Sequence, residues 1–198
     1  MKHLLTPRAI LLASALAIAP AAWAETPADT LVVAAAIDDI ISLDPAQSFE
    51  FSGNDVNQNT YDRLVDFDPL DMDAGFKPSL AESWQVAPDG MSITFTLRPG
   101  VTFHSGNPVR PEDAAWSLQR AVKLDKTPAF ILTQFGFTAD NVEEKITFDD
   151  TTLTLHLDKP YAPTFVLNCL TANVASVVDK ETVMANAQDD DLGNTWLN

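Results

Sequence analysis

A single cysteine in 198 residues leaves no disulfide framework and no C-x-x-C pair for a zinc or redox centre. Basic residues are scarce as well: 12 Lys and Arg stand against 28 Asp and Glu, a formal charge of −16. That balance excludes nucleic acid and anionic lipid surfaces as partners, since each phosphate contact calls for a cation. The 3 histidines never form an H-E-x-x-H pattern. The sequence has no G-x-x-x-x-G-K-[ST] phosphate loop and no G-x-S-x-G elbow. No apolar run reaches the ~20 residues that a membrane-spanning helix requires. Without a catalytic constellation the chain is not read as an enzyme, and no cofactor is implied.

Hydrophobic residues make up 46% of the chain, enough for a packed core, and the length suits one domain or two small ones. Residues 1–24 read as a secretory signal. Lys2 and Arg8 form a positive leading region, Ala9–Ala19 an apolar core, and Ala22-Trp23-Ala24 a small-residue cleavage site before Glu25. No Cys follows the apolar core, so the expected product is a soluble periplasmic protein rather than a lipid-tethered one, with no direct membrane insertion once the signal is removed.

The stretch from Lys77 to Val122 carries the densest local signals. Ser83–Ala87 and Ser92–Leu97 read as strands joined by Pro88-Asp89-Gly90, and Ile93, Phe95 and Leu97 alternate with polar residues at the period of a half-buried strand. A second turn, Arg98-Pro99-Gly100, leads to Val101-Thr102-Phe103 and the loop His104–Val109. Pro111 then suits the first turn of a helix, with Glu112 and Asp113 favourable to its dipole. Ala114, Leu118, Ala121 and Val122 make its apolar stripe, and Arg120 and Lys123 suit its C-terminal end.

Elsewhere, Thr30–Ile37 is an apolar run expected to form a strand buried on both faces. The turn-forming Ser42-Leu43-Asp44-Pro45 follows, then a loop from Phe49 to Asn54, a helix over Asp55–Leu64 and a short strand at Leu64-Val65. The acidic cluster Asp66, Asp68, Asp71, Asp73 lacks the spacing of a calcium loop and reads as solvated. Lys126–Thr138 is expected to be a loop or short helix. Val142–Phe148 and Thr151–Leu157 should pair as a hairpin about Asp149-Asp150. A helix at Pro163–Leu170, a buried strand at Ala175–Val178, a helix Lys180–Ala187 capped by Asp179, and a polar tail without an element complete the reading. His104 and His156 are assigned structural or surface roles, Cys169 is assigned to an apolar helix face, and Trp84, Trp116, Phe95 and Phe103 are assigned to the core.

Taken whole, Lys77–Val122 resembles the signature of the peptide/nickel-type, family 5 extracytoplasmic solute-binding proteins of ABC importers. The match rests on Pro78, Leu80 to Trp84, Val86, Asp89, Gly90, Thr94, Phe95, Leu97, Arg98, Gly100, Val101, Phe103, His104, Gly106, Pro108, Glu112, Asp113, Ser117 and Leu118. Ala114 replaces the usual Val. Arg110 stands where Thr or Ser normally caps the helix, a loss of roughly 1 kcal/mol. Thr30–Ile37 followed by Ser42-Leu43-Asp44-Pro45 is also similar to the way the family begins.

The resemblance implies a mixed α+β chain: the N-terminal part of a two-lobed fold like the periplasmic binding proteins, with 25–198 as partial lobe one, about 60–165 as an inserted subdomain bearing the signature, and the second lobe absent. Family members are about two and a half times longer, so the chain is expected to be a fragment. The implied role is the substrate-binding component of an ABC importer, for di- or oligopeptides, working with a membrane permease. Nickel, haem, opine or oligosaccharide are alternative ligands in the family, and an exported interaction module without transport is the alternative role. Loops beyond strand ends hold ligands in open sheets, and in the family this loop lines the cleft, where its backbone can pair with an extended peptide. Phe49, Glu50, Phe51 and Asn54 are therefore the candidate ligand-binding residues; neither a catalytic residue nor a metal ligand is assigned. Mass spectrometry of exported protein is expected to find Glu25 as the first residue; retained Met1 or Lys2 would contradict the signal.

Overall fold

The computed structural model describes residues 26–68, 70–71, 73 and 75–198, so the signal read at residues 1–24 lies outside them. The chain divides into the units Met1–Ala36 and Ile37–Asn198. Described residues 26–36 are exposed and form neither helix nor strand. The strand expected at Thr30–Ile37 is therefore absent, with Leu31, Val32 and Val33 at 87%, 70% and 74% exposure. Apolar side chains raise strand propensity, but a strand exists only against a hydrogen-bonded neighbour, and no strand of the described residues is registered against this run.

In Ile37–Asn198 the chain begins with the Ser42–Ser48 turn and helix α1, Phe51–Thr60. Strands β1, Val65–Phe67, and β2, Phe76–Pro78, pair antiparallel with Phe67 against Phe76, their ring centroids 4.8 Å apart. Next come β3, Ala81–Val86, and β4, Ser92–Leu97, joined through the expected Pro88-Asp89-Gly90 turn with Gly90 at φ 70°. Helix α2, Pro111–Leu124, crosses to short helices α3, Phe130–Thr133, and α4, Val142–Lys145. Strands β5, Ile146–Phe148, and β6, Thr152–His156, form the expected hairpin. Helices α5, Pro163–Leu170, α6, Lys180–Ala185, and α7, Asn194–Leu197, follow.

β3, β4, β6 and β5 make a 4-stranded antiparallel sheet in that spatial order. Alternation decides its two faces. Ile93 and Phe95 of β4 stand opposite Leu155 and Leu153 of β6, all essentially buried beneath α2. The intervening Thr94 and Thr154 face the other way and join hydroxyl to hydroxyl at 2.9 Å. α2 presents Ala114, Ala115, Leu118, Ala121 and Val122 inward, as its apolar stripe requires. Gln119 Nε2 ties α2 to the sheet by donating to the Ile146 carbonyl at 2.8 Å. Arg110 contributes no side-chain cap, but its backbone N–H donates to the Asp113 carboxylate at 2.9 Å, so the residue three positions on supplies what Arg110 lacks.

Arg120 departs from expectation. It does not sit at the helix end in solvent but is 2% exposed, with Nη1 and Nη2 donating to Asp44 Oδ1 and Oδ2 at 2.9 and 2.5 Å. Its Nε donates to the Leu192 carbonyl at 2.7 Å, and Asn194 Nδ2 donates to Asp44 Oδ2 at 2.7 Å. The tail is thereby drawn onto the fold and turns into α7, where the sequence showed no element. Asp191 secures that turn by accepting from the N–H groups of Gln188, Gly193 and Thr195. Ala175–Val178 is buried as expected, yet it is a 3-10 turn, Asn173–Ala175, followed by extended chain rather than a strand. Its Val177 N–H goes to the Asp62 carbonyl and its Val178 N–H to Ser117 Oγ, so these donors are spent outside any ladder. Val142–Lys145 is helical because the N–H groups of Val142 and Lys145 bond back to Thr138 and Asn141 carbonyls. Of the four aromatics assigned to the core, Phe95 is fully buried, whereas Trp84, Trp116 and Phe103 are half-buried at its margin.

Removing one member of a buried ion pair leaves the other charge uncompensated, typically at a cost of about 3–5 kcal/mol. Asp44→Ala is therefore expected to lower stability by that amount in urea denaturation, and a loss under about 1 kcal/mol would show that the pair is not holding the fold. Thr195 N–H above all, with Gln188 and Gly193, holds the Asp191 carboxyl at about 2 against an ordinary 3.8. A folded value below the unfolded one contributes stability present above the ordinary value and lost as pH falls through the folded one. Amide shifts of Gly193 and Thr195 should titrate near pH 2; a midpoint near 4 would contradict the geometry.

Candidate functional site

The Ser42–Ser48 turn sets the geometry of the site. Asp44 accepts from the N–H of Ala46 on its side chain and from those of Gln47 and Ser48 on its carbonyl. This delivers Phe49 and Glu50 to the start of α1. The loop expected through Asn54 ends earlier, because Phe51–Asn54 form the first turn of the helix. Glu50 offers no side-chain cap there; Asp39 Oδ2 accepts from the Ser52 N–H at 3.2 Å instead. That partner lies 13 residues upstream and leaves no local signature. Gly53 is buried where α1 meets the turn: a Cβ there would lie 2.5 Å from Ser48 Oγ and 3.2 Å from the Ser42 carbonyl, so only glycine allows the approach.

Phe49, Phe51 and Asn54 line one cavity of about 420 Å³, together with Ser48, Asp55 and Gln58. Its opposite wall comes from Pro128, Ile131 and the segment Thr171–Val174. Glu50 does not line it and instead accepts the Phe49 N–H at 3.1 Å. Phe49 packs edge-on against Phe130, centroids 5.8 Å apart, while Phe51 is 94% exposed. Asn54 is held by Asn173, whose Nδ2 donates to the Asn54 carbonyl and Oδ1 at 2.9 and 3.2 Å. Asn173 is held in turn by Arg63, which also pairs with Asp66 at 2.8 Å. Ser48 Oγ is buried without a partner among the described residues. That hydroxyl lies against Gly53 of α1, inside the contact between turn and helix.

A larger cavity, about 510 Å³, contains none of the candidate residues. It lies between Val101–Ser105 of the signature and Trp196-Leu197 of the tail, with Tyr61, Val177 and Val183 on its floor. Its rim is organised by Asp179, which accepts from Ser105 Oγ, Asn107 Nδ2 and Thr182. Burial opposes ionisation of Asp179, but those donors outweigh it and hold the carboxyl below its ordinary value. The wall is mainly apolar, and sequence reading missed it because the tail gave no sign of folding back. The smaller cavity is the stronger candidate, since there the rings of Phe49 and Phe51 meet the carboxamides of Asn54, Gln58 and Asn173.

His104 is exposed at the rim of the larger cavity, and His156 sits outward with Nε2 3.3 Å from Thr147 Oγ1. Cys169 is half-buried rather than buried; burial pushes its thiol up, and Gln134 donates to Sγ at 3.4 Å. Among the described residues no group of three or more His, Cys, Asp or Glu could hold a metal ion, and no helix is long and apolar enough to cross a membrane.

Comparison with known proteins accords with this geometry. Residues 75–196 match the family model described as bacterial extracellular solute-binding proteins, family 5, middle region. The chain is 32% identical over 197 residues to the "Probable D,D-dipeptide-binding periplasmic protein DdpA" of Escherichia coli strain K12, spanning 98% of this chain and 36% of that protein. It is 34% identical over 123 residues to heme-binding protein A of Haemophilus influenzae, covering 54% of this chain and 22% of that one. The structure superposes on the Escherichia coli murein tripeptide binding protein MppA with a TM-score of 0.63 at 27% identity, covering 74% of this chain and 30% of MppA. The chain thus spans about a third of the length of relatives it matches, and its mixed α+β architecture is part of one lobe of the periplasmic binding protein fold. With the signature, the hairpin sheet and α2 all inside the matched residues, the chain belongs to family 5 of the bacterial extracellular solute-binding proteins.

Proposed function

We propose that this chain forms the ligand-facing part of lobe one in a periplasmic solute-binding protein that delivers short peptides to the permease of an ABC importer. The observation that carries the reading is the convergence of Phe49, Phe51 and Asn54 on one cavity. A peptide offers what those groups recognise: amide groups for the carboxamides, and side chains for the rings. The names of relatives support it, DdpA and MppA being described as dipeptide- and tripeptide-binding. Heme-binding protein A points to another ligand. Haem iron, however, takes His, Cys, Met or Tyr as axial ligand, and none of these lines the cavity. In this reading the segment about 60–165 is a scaffold subdomain that steadies one wall of the site, and Glu50 acts on the ligand only through the backbone of Phe49.

Binding by this chain alone should be weak. Tight sites bury roughly 70–90% of the ligand surface, and a single lobe leaves one side in water. Calorimetry of the purified chain with di-, tri- and tetrapeptides is expected to give dissociation constants no tighter than about millimolar. Phe51→Ala is expected to weaken binding about tenfold by removing a ring that is exposed without ligand. Micromolar affinity would contradict the half-site, and binding indifferent to Phe51→Ala would contradict its location.

A further inference from the structure

We infer that the cavity at Phe49–Asn54 discriminates by charge, taking an ammonium group on an apolar stem in preference to a carboxylate. This rests on the reading that the cavity takes a ligand and adds which chemical class it prefers. Asp55 is the only ionisable side chain on the lining, and its carboxylate has no protein partner among the described residues. Neither Lys, Arg nor His lines the cavity. Arg63 stands behind Asn173, but Asp66 neutralises it and its reach ends at the Asn173 carboxamide. Lys126 adjoins the far wall without lining it.

The opposite preference has one physical argument in its favour. α1 starts at this cavity, and a helix N-terminus attracts anions through its free N–H groups. Here that field is already met by a protein carboxylate, because Asp39 accepts from Ser52 N–H at 3.2 Å. Its bonds to Ser52 hold the Asp39 carboxyl below the ordinary value, so one carboxylate already sits at this end of α1 and repels a second anion. The remaining polar groups are chemically suited to a cation. Asp55 and Gln58 offer carboxylate and carboxamide oxygens on the lining, while the exposed face of Phe51 and the half-exposed ring of Phe49 can flank a cationic stem. A formal charge of −16 adds a long-range attraction of the same sign.

The test uses the full chain, labelled for amide NMR, and ligands that share one ring: phenylalaninamide (ammonium), N-acetylphenylalaninamide (neutral), N-acetylphenylalanine (carboxylate) and phenethylamine (a free amine with no peptide group). Shifts at Asn54, Asp55 and Asn173 report occupancy. Phenylalaninamide should bind about fivefold more tightly than the neutral compound and the carboxylate more weakly than either, with the preference shrinking as salt rises. Asp55→Asn should bring the cation-to-neutral ratio to about one, and Asp55→Lys should invert it; both substitutions lie on an exposed helix position. Phenethylamine matching phenylalaninamide would assign the preference to amines in general, and a clear advantage for phenylalaninamide would assign it to the amino end of a peptide; both support charge selection. Equal binding of cation and neutral compound at these residues would overturn the charge inference while leaving the ligand reading in place. Absence of shifts at these residues with every compound would overturn both.

Discussion

The fold depends on the ion pair between Asp44 and Arg120, whose side chains are 0% and 1% exposed. Taking two such charges out of water costs several kcal/mol per ion, and their attraction recovers it only where the geometry is bidentate and other donors complete the shell. Both conditions hold. Arg120 gives two N–H groups to Asp44 and a third to the Leu192 carbonyl, while Asp44 also accepts from Ala46 N–H and Asn194 Nδ2. The pair therefore joins the turn before α1, the C-terminal half of α2 and the tail at one point. An apolar contact there would tolerate sliding; this arrangement accepts a single register. The position of Ser48 and Phe49 beside the cavity follows from it, since their turn is built on the carbonyl of the same Asp44.

What could be read in advance divides along the range of the interactions concerned. The β3–β4 and β5–β6 hairpins, the start of α2 at Pro111 and the Asp179 cap of α6 are decided within a few residues, and the structure has them. Thr30–Ile37 and Ala175–Val178 have equally strong strand composition, but a ladder is a property of two segments, and composition describes one. Arg120 shows the same limit from the other side. As a basic residue near a helix end it conforms to the dipole rule, and nothing local says that an aspartate 76 positions earlier will draw it inward. The tail likewise folds only because Arg120 and Asp44 wait for it.

Of the four candidate residues the structure brings three to one cavity. Their position in a loop and the family resemblance singled out Phe49, Glu50, Phe51 and Asn54, and Phe49, Phe51 and Asn54 lie on the cavity. Glu50 shares their stretch but turns away, a matter of side-chain direction that sequence spacing alone does not fix. Asn173 was not singled out in advance: it holds Asn54 from 119 positions away.

The outer strands of the 4-stranded sheet are β3 and β5. The β3 margin is interrupted between Ala81 and Ser83, where the pairing slips by a residue, and it carries Glu82 and Gln85 in solvent. The β5 margin is 3 residues long and runs directly into Asp149 and Asp150. A second molecule seeking to continue the sheet would find one template out of step and the other too short and acidic. The hydroxyl face of Thr94 and Thr154 offers it no apolar surface for stacking either. The same strands that build the core thus also leave edges poorly suited to continuing the sheet.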